Sequence, residues 1–412
     1  YPFIGLGVEF ARRGHRVTVF SNDHFGPLIQ RCGLEFVSVG TDEEYREIIS
    51  NPIIWHPTKG FAFIMQMVAE QNGRLYDAML PRIDDQTVVV AHSLDFISRA
   101  LAEKTGLRVV TAHLSPLIVR TDYDTGVMRG TFNHSVLPRW LKRVFWRLAD
   151  RFIMDPAAGP TVNAMRAKVG LGPIKHILER AMHSPLLTVG MWPAWFSGPQ
   201  PDYPPFLKLT GFPMFDGGDA QPVSAEVEAY LSAGEPPIVY TPGSANVHGH
   251  DFFDAAADAA KRLGGRTMLL SKFPEQLPKN LPENVRHFSF APLSRILPRC
   301  AALVHHGGIG TTAAGLAGGV PQVIMPMSHD QPNNAHWIRK LGTGDRIMPK
   351  KFRGKVVAKV LAGLLASAEV KAKCAEAAGW CAKQDAVGET VDLILGAVGK
   401  NCQPNSQIAT AP

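Results

Sequence analysis

The sequence predicts an α/β protein built as two parallel-sheet units, and three observations predict it. Short apolar, β-branched runs alternate with helical segments along most of the chain, which is the pattern of successive βα units. The alternation restarts near residue 237, after a stretch dense in Pro, Gly and aromatic residues. At 412 residues the chain is too long for one ordinary core and suits two.

The first unit reads as follows. A helix ahead of Arg12 ends at Gly14, a natural C-cap, and leads into a strand over residues 17–20. A helical segment at 78–83 precedes a buried strand at 88–91, and a helix at 97–105 precedes another at 109–112. Residues 118–182 are rich in Trp, Arg and Leu and read as a helical insertion, serving either packing or acceptor binding. A Rossmann-like unit starts with a strand and a Gly-rich turn before its first helix. This chain opens at Tyr1-Pro2 in that helix, so the strand and turn are expected upstream of Tyr1. The assignment is a first unit over 1–205 and a linker over 206–220. A second unit follows over 221–385, then a helix over 386–400 returning to the first unit, and a flexible tail over 401–412.

The second unit restarts with a strand at 237–240 running into Thr241-Pro242-Gly243-Ser244. A helix at 251–263 and a strand at 268–270 follow. Then comes the most informative stretch, from Phe290 to Gln331. A buried strand at 301–304 enters His305-His306-Gly307-Gly308-Ile309-Gly310-Thr311-Thr312, and an Ala/Gly/Leu-rich helix follows. The first N–H groups of a helix have no internal partners, the helix dipole adds positive potential, and glycine lets an anion approach. A phosphate site is therefore expected at Gly307, Gly308, Ile309, Gly310 and Thr311, with Ser244 beside it and His305 donating a further hydrogen bond. Asp330 and Gln331, just past the next strand, offer the paired acceptors and donors that sugar hydroxyls need. A metal pair at His305-His306 is disfavoured, because adjacent residues point apart and no third ligand stands at suitable spacing.

Composition bounds the rest. Hydrophobic residues are 45% and charged residues 19%, a globular balance. The net charge of +7 comes without a long basic run or a nucleic-acid motif. A nucleic-acid partner is excluded on that reading, while a mild attraction for anionic donors or lipid surfaces stays open. Five cysteines without a C-x-x-C pair indicate neither a disulfide framework nor a zinc site, and favour a cytoplasmic setting. No apolar run reaches the roughly 18 residues of a spanning helix.

The ordered set Phe290-x-Pro292-x-x-x-Ile296-Leu297, His305-x-Gly307-Gly308, Gly310-Thr311 and Asp330-Gln331 resembles the donor-binding signature of nucleotide-sugar glycosyltransferases with the two-domain GT-B fold. That resemblance implies two Rossmann-like domains facing across a cleft, and an inverting hexosyltransferase. It implies a UDP- or dTDP-sugar co-substrate, with no cofactor and no metal. Phe290 would stack on the base with the backbone near Leu293 reading its edge, although core packing is the other reading of Phe290. Further segments, including Met182-His183-Ser184-Pro185, Pro193-Ala194-Trp195-Phe196 and Thr210-Gly211-Phe212-Pro213, resemble the rhamnolipid-forming rhamnosyltransferases. They imply a bacterial enzyme acting on a lipid-like hydroxylated acceptor, with a possible place at the inner face of the membrane. His306 departs from that group and is similar to the bacterial macrolide and sterol glycosyltransferases, which keeps UDP-glucose open.

An acceptor hydroxyl must lose its proton to a base. The resemblance puts that base in the loop expected upstream of Tyr1. Within the chain the candidates are His92, Asp95 and His113, each at the C-terminal end of a strand, and ordinary loop polarity is their competing reading. Apolar residues over 55–67 either line an acceptor channel or form helical core. Two other functions share the donor motif: a sugar-nucleotide epimerase of the same fold, and a nucleotide-sugar-binding protein without catalysis.

Overall fold

The computed structural model describes residues 1–56, 59–127, 136–217, 221–243, 246–399 and 407–411, the last group by backbone only. The chain divides into two compact units, the second running principally from Asp216 to Gln384.

In the first unit α1 (Pro2–Arg12) leads to β1 (Arg16–Asn22), α2 (Gly26–Arg31), β2 (Glu35–Gly40), α3 (Asp42–Ser50) and α4 (Gly60–Met79). Then follow β3 (Val88–His92), α5 (Phe96–Thr105), β4 (Arg108–His113), α6 (Arg139–Ala149), α7 (Asp155–Lys168), α8 (Ile177–Arg180), β5 (Thr188–Gly190) and β6 (Leu207–Leu209). Local chemistry starts several of these helices. Thr41 and Glu44 form a reciprocal capping box at α3. Asp95 caps α5 by accepting the Ser98 N–H at 2.9 Å. Strand β6 lies within the span read as linker, so the linker assignment over 206–220 is corrected at its start: Leu207–Leu209 pairs with β5 as the edge of the sheet.

In the second unit α9 (Ala225–Ser232) precedes β7 (Ile238–Thr241), α10 (His250–Leu263), β8 (Thr267–Leu270), β9 (Val285–Phe288) and α11 (Leu293–Ile296). Next come β10 (Ala302–His305), α12 (Ile309–Ala317), β11 (Gln322–Ile324), α13 (Gln331–Leu341), β12 (Gly344–Arg346), α14 (Gly354–Ala366) and α15 (Ala368–Ala382). Its six strands are parallel in the order β12-β11-β10-β7-β8-β9. Both faces are covered, as parallel sheets require. Ile238, Tyr240 and Val304 enter a core with α10 and α14, while Val239 and Leu303 enter the opposite core with α9 and α11. The two-residue period of a strand makes that division.

The chain then returns to the first unit through α16 (Ala386–Val398), which packs on α1. Arg13 pairs with Asp392, and Thr390 Oγ1 donates to Thr210 Oγ1 at 2.9 Å. Strand β13 (Gln407–Ala411) corrects the expectation of a flexible tail at those residues, while the rest of the span 401–412 lies outside the described residues. It lies between β1 and β3, parallel to both, in the order β2-β1-β13-β3-β4-β5-β6. That central slot is where the sequence predicts a strand ahead of α1. An empty slot would leave two rows of backbone N–H and C=O groups unpaired, and an extended segment in register satisfies both.

Candidate nucleoside-diphosphate site

The site forms where β10 turns into α12. Gly307 has φ of 94°, and a Cβ there would come within 2.7 Å of Ile324 Cγ2, so both conformation and space require glycine. The first helical bond of α12 runs from the Thr312 N–H to the Gly308 C=O at 2.9 Å. The N–H groups of Ile309, Gly310 and Thr311 come before it, and no side chain caps this helix end. Gly310 is exposed, and a Cβ on it would meet nothing within 4 Å. An anion can therefore reach this helix end without a clash at that position.

The structure corrects the role expected of His305. Its ring is completely buried and both nitrogens are engaged. Nδ1 accepts the Gly307 N–H at 3.1 Å, so Nε2 carries the hydrogen and donates to Gln322 Oε1 at 2.9 Å. The Gln322 amide in turn donates to the Thr312 C=O at 3.3 Å. Burial pushes His305 down to about 3, so the ring is neutral at physiological pH. His305 shapes the turn and offers no outward donor. The adjacent ring lies closer to the glycines: a Cβ on Gly243 would fall 2.6 Å from His306 Cε1, and one on Gly308 2.5 Å from His306 Nε2.

Asp330 and Gln331 also do more inside than outside. Gln331 is 3% exposed, and its Oε1 accepts the Met327 and Ser328 N–H groups at 2.8 and 3.1 Å. Asp330, partly buried at the start of α13, accepts from Asn334 Nδ2 at 2.8 Å. Asn334 also donates to the Gly307 C=O at 2.9 Å and so ties this loop to the turn. Gln322 and Asn334 were not anticipated from sequence. A lone polar residue in an apolar strand, and an asparagine one helical turn after Asp330, were the available signals.

Phe290 is 37% exposed, which removes its core-packing reading. Leu293 opens α11 and is half-buried against the core of that face. Ser244 lies outside the described residues. Among the described residues, no three His, Cys, Asp or Glu side chains gather to hold a metal.

The base candidates occupy the first unit. Asp95 is 3% exposed and spent on the α5 cap, and burial raises it to about 6. His113 is fully buried between Ser93 Oγ at 2.7 Å and His183 Nδ1 at 2.9 Å. His92, at the end of β3, is only partly buried; its Nδ1 accepts the Leu94 N–H at 3.3 Å, and desolvation lowers it to about 4. Elsewhere in the first unit, at the ends of β1 and β2, a cavity of about 320 Å³ is lined by Asn22, Tyr45, Phe63, Met67, Glu70 and Arg74 among others. Phe63 and Met67 come from the apolar stretch read as channel or core.

Known proteins resemble this chain in sequence and in fold. Residues 269–392 match the family described as erythromycin biosynthesis protein CIII-like, C-terminal domain. Glycosyltransferase GtfE of Amycolatopsis orientalis is 31% identical over 321 residues, covering 73% of this chain and 71% of that one. O-mycaminosyltylonolide 6-deoxyallosyltransferase of Streptomyces fradiae is 28% identical, covering 84% of this chain and 82% of that one. The crystal structure of glycosyltransferase VinC in complex with dTDP superposes with a TM-score of 0.65 and 21% identity, covering 96% of each chain.

Proposed function

The chain belongs to the GT-B glycosyltransferase family, and we propose that within it this protein is an inverting transferase of a hexose or deoxyhexose from a dTDP- or UDP-sugar. The observation that carries the proposal is the open helix end at Ile309, Gly310 and Thr311, and the exposed ring of Phe290 after β9 of the same sheet adds to it. The diphosphate lies over those N–H groups and the base against Phe290. Asp330 meets the sugar. In the reaction the bond between the sugar anomeric carbon and the diphosphate oxygen breaks as a bond to the acceptor oxygen forms. Negative charge on the departing diphosphate grows, and fixed N–H dipoles stabilise it most at that point. No resident metal or cofactor takes part.

The acceptor proton goes to a base, and the family resemblance assigns that base to the first unit. Of the in-chain candidates His92 is the accessible one, since Asp95 and His113 are committed to internal hydrogen bonds. The deoxyallosyl and dTDP names of the relatives support a dTDP-deoxyhexose donor. The apolar acceptor, lipid-like and met at a membrane surface, is the narrower reading that the rhamnolipid-type segments support.

A donor screen tests the reading. Calorimetry and thermal shift with dTDP, UDP and their sugar conjugates should find a nucleoside diphosphate that raises the melting temperature. Turnover should then depend on a hydroxylated acceptor. Failure of every dTDP and UDP compound to bind would refute it, and free altered sugar without acceptor would assign the epimerase.

A further inference from the structure

Helix α6 of the first unit, continued by a π-helical turn over Asp150–Met154, buries two charged side chains and exposes a set of large apolar ones. Its inward side sets two satisfied charges among Leu141, Phe145, Trp146 and Ala149. Lys142 is 3% exposed and donates Nζ to the Tyr123 C=O at 2.7 Å. Asp150 is 5% exposed and accepts from Arg120, with one bond at 2.6 Å. Rolling the helix to bury its apolar residues would strip partners from both charges, which is costly. The present orientation is thereby held.

The outward side is apolar. Trp140, Val144, Leu148 and Phe152 recur every fourth residue and are 66%, 39%, 51% and 65% exposed. Ile153 joins them at 56%. Residues four apart share a helix face, so these four form one stripe. Arg143, Arg147 and Arg151 make a second exposed row directly beside it. Arg143 pairs with Asp122 at 2.5 Å, and Arg151 leans over the Phe152 ring at 5.5 Å. Among the described residues, Arg147 and Arg151 form no ion pair, and neither row contains an acidic residue.

We propose that this face docks the protein on an anionic lipid bilayer. Contiguous exposed apolar surface of this kind marks an interaction site. An aromatic and aliphatic stripe edged by arginines fits the boundary between headgroups and acyl chains: the stripe enters the apolar layer and the arginines reach lipid phosphates. The inference deepens the reading of a membrane-borne apolar acceptor and rests on it for its purpose only, because docking needs neither donor nor turnover.

The test is co-sedimentation of the whole chain with vesicles of phosphatidylcholine alone and of phosphatidylcholine mixed with phosphatidylglycerol. Binding is expected to the mixed vesicles and to weaken with salt. Each arginine near such a surface is worth on the order of fivefold in affinity, so the double variant Arg147→Glu/Arg151→Glu should lose well over tenfold. Trp140→Ser/Phe152→Ser should lose a comparable factor. Both pairs are solvent-exposed, so affinity for the nucleoside diphosphate identified in the donor screen should not change. Loss of vesicle binding with donor binding intact is the expected result. No binding of the unaltered chain to mixed vesicles, or equal binding by both variants, would overturn the proposal. So would a dimer in sedimentation that Trp140→Ser/Phe152→Ser dissociates, since the face would then belong to a second copy. Absence of nucleotide binding would instead count against the transferase reading.

Discussion

At the residue scale, the β10–α12 turn separates groups that build a site from groups that face a ligand. His305 belongs to the first kind, through Gly307 and Gln322. Gly310 belongs to the second. Its open surroundings permit a substitution that changes charge with no steric conflict. Gly310→Asp should leave folding intact, because a carboxylate in the first turn of a helix is favoured by about 0.3–1 kcal/mol and offsets part of what glycine's replacement changes. The same carboxylate should repel a diphosphate and lower nucleotide affinity at least about tenfold, the effect of roughly 1.4 kcal/mol. Titration calorimetry with dTDP or UDP alongside thermal melting reads both quantities. Unchanged affinity would mean that the diphosphate lies elsewhere.

At the element scale, α5 separates a structural acid from a catalytic one. Asp95 accepts the Ser98 N–H as the N-cap, with a desolvated carboxyl raised to about 6. Asparagine caps as well as aspartate, whereas alanine costs about 1 kcal/mol. Asp95→Asn should therefore retain both stability and transfer rate, and Asp95→Ala should lower stability by about that amount with turnover kept below melting. A collapse of turnover in Asp95→Asn at full stability would restore Asp95 as the base. The helix α5 was readable from its own sequence, since Asp95 precedes an amphipathic run. The use of Asp95 as a cap rather than as a base was not, because both roles call for a carboxylate after a strand. Likewise the sequence marks residues 118–182 as helical, yet only the anchoring of Lys142 and Asp150 decides which face of α6 looks outward.

At the scale of the whole molecule, several buried histidines among the described residues fold neutral. Burial lowers His92, His183 and His306 to about 4 and His305 to about 3, and sets His113 well below its usual 6.5. The unfolded chain takes up protons at these rings as pH falls through 6.5, while the folded chain does not until about 4. Stability therefore rises with pH across this window and is lost as pH drops from 6.5 towards 4. Each ring that stays neutral contributes a slope approaching about 1.4 kcal/mol per pH unit. Denaturant midpoints measured through the window should fall steadily, and well before ordinary carboxylates titrate. A flat profile would show that these rings ionise in place.

The amino-acid sequence by itself determined the βα alternation, the second unit's restart near residue 237 and the Gly-rich turn after β10, because periodicity, capping and glycine geometry are local. Motif order also pointed to a nucleotide-sugar site. Only the tertiary structure decided which polar side chains face inward. Gln322 and Asn334 become partners of the turn because β11 and α13 lie beside it in space, though they are distant along the chain. It also decided that Gln407–Ala411 enters the middle of the first sheet. A strand's own sequence records which residues alternate, but the choice of neighbours is made by the unpaired backbone edges that the rest of the fold presents.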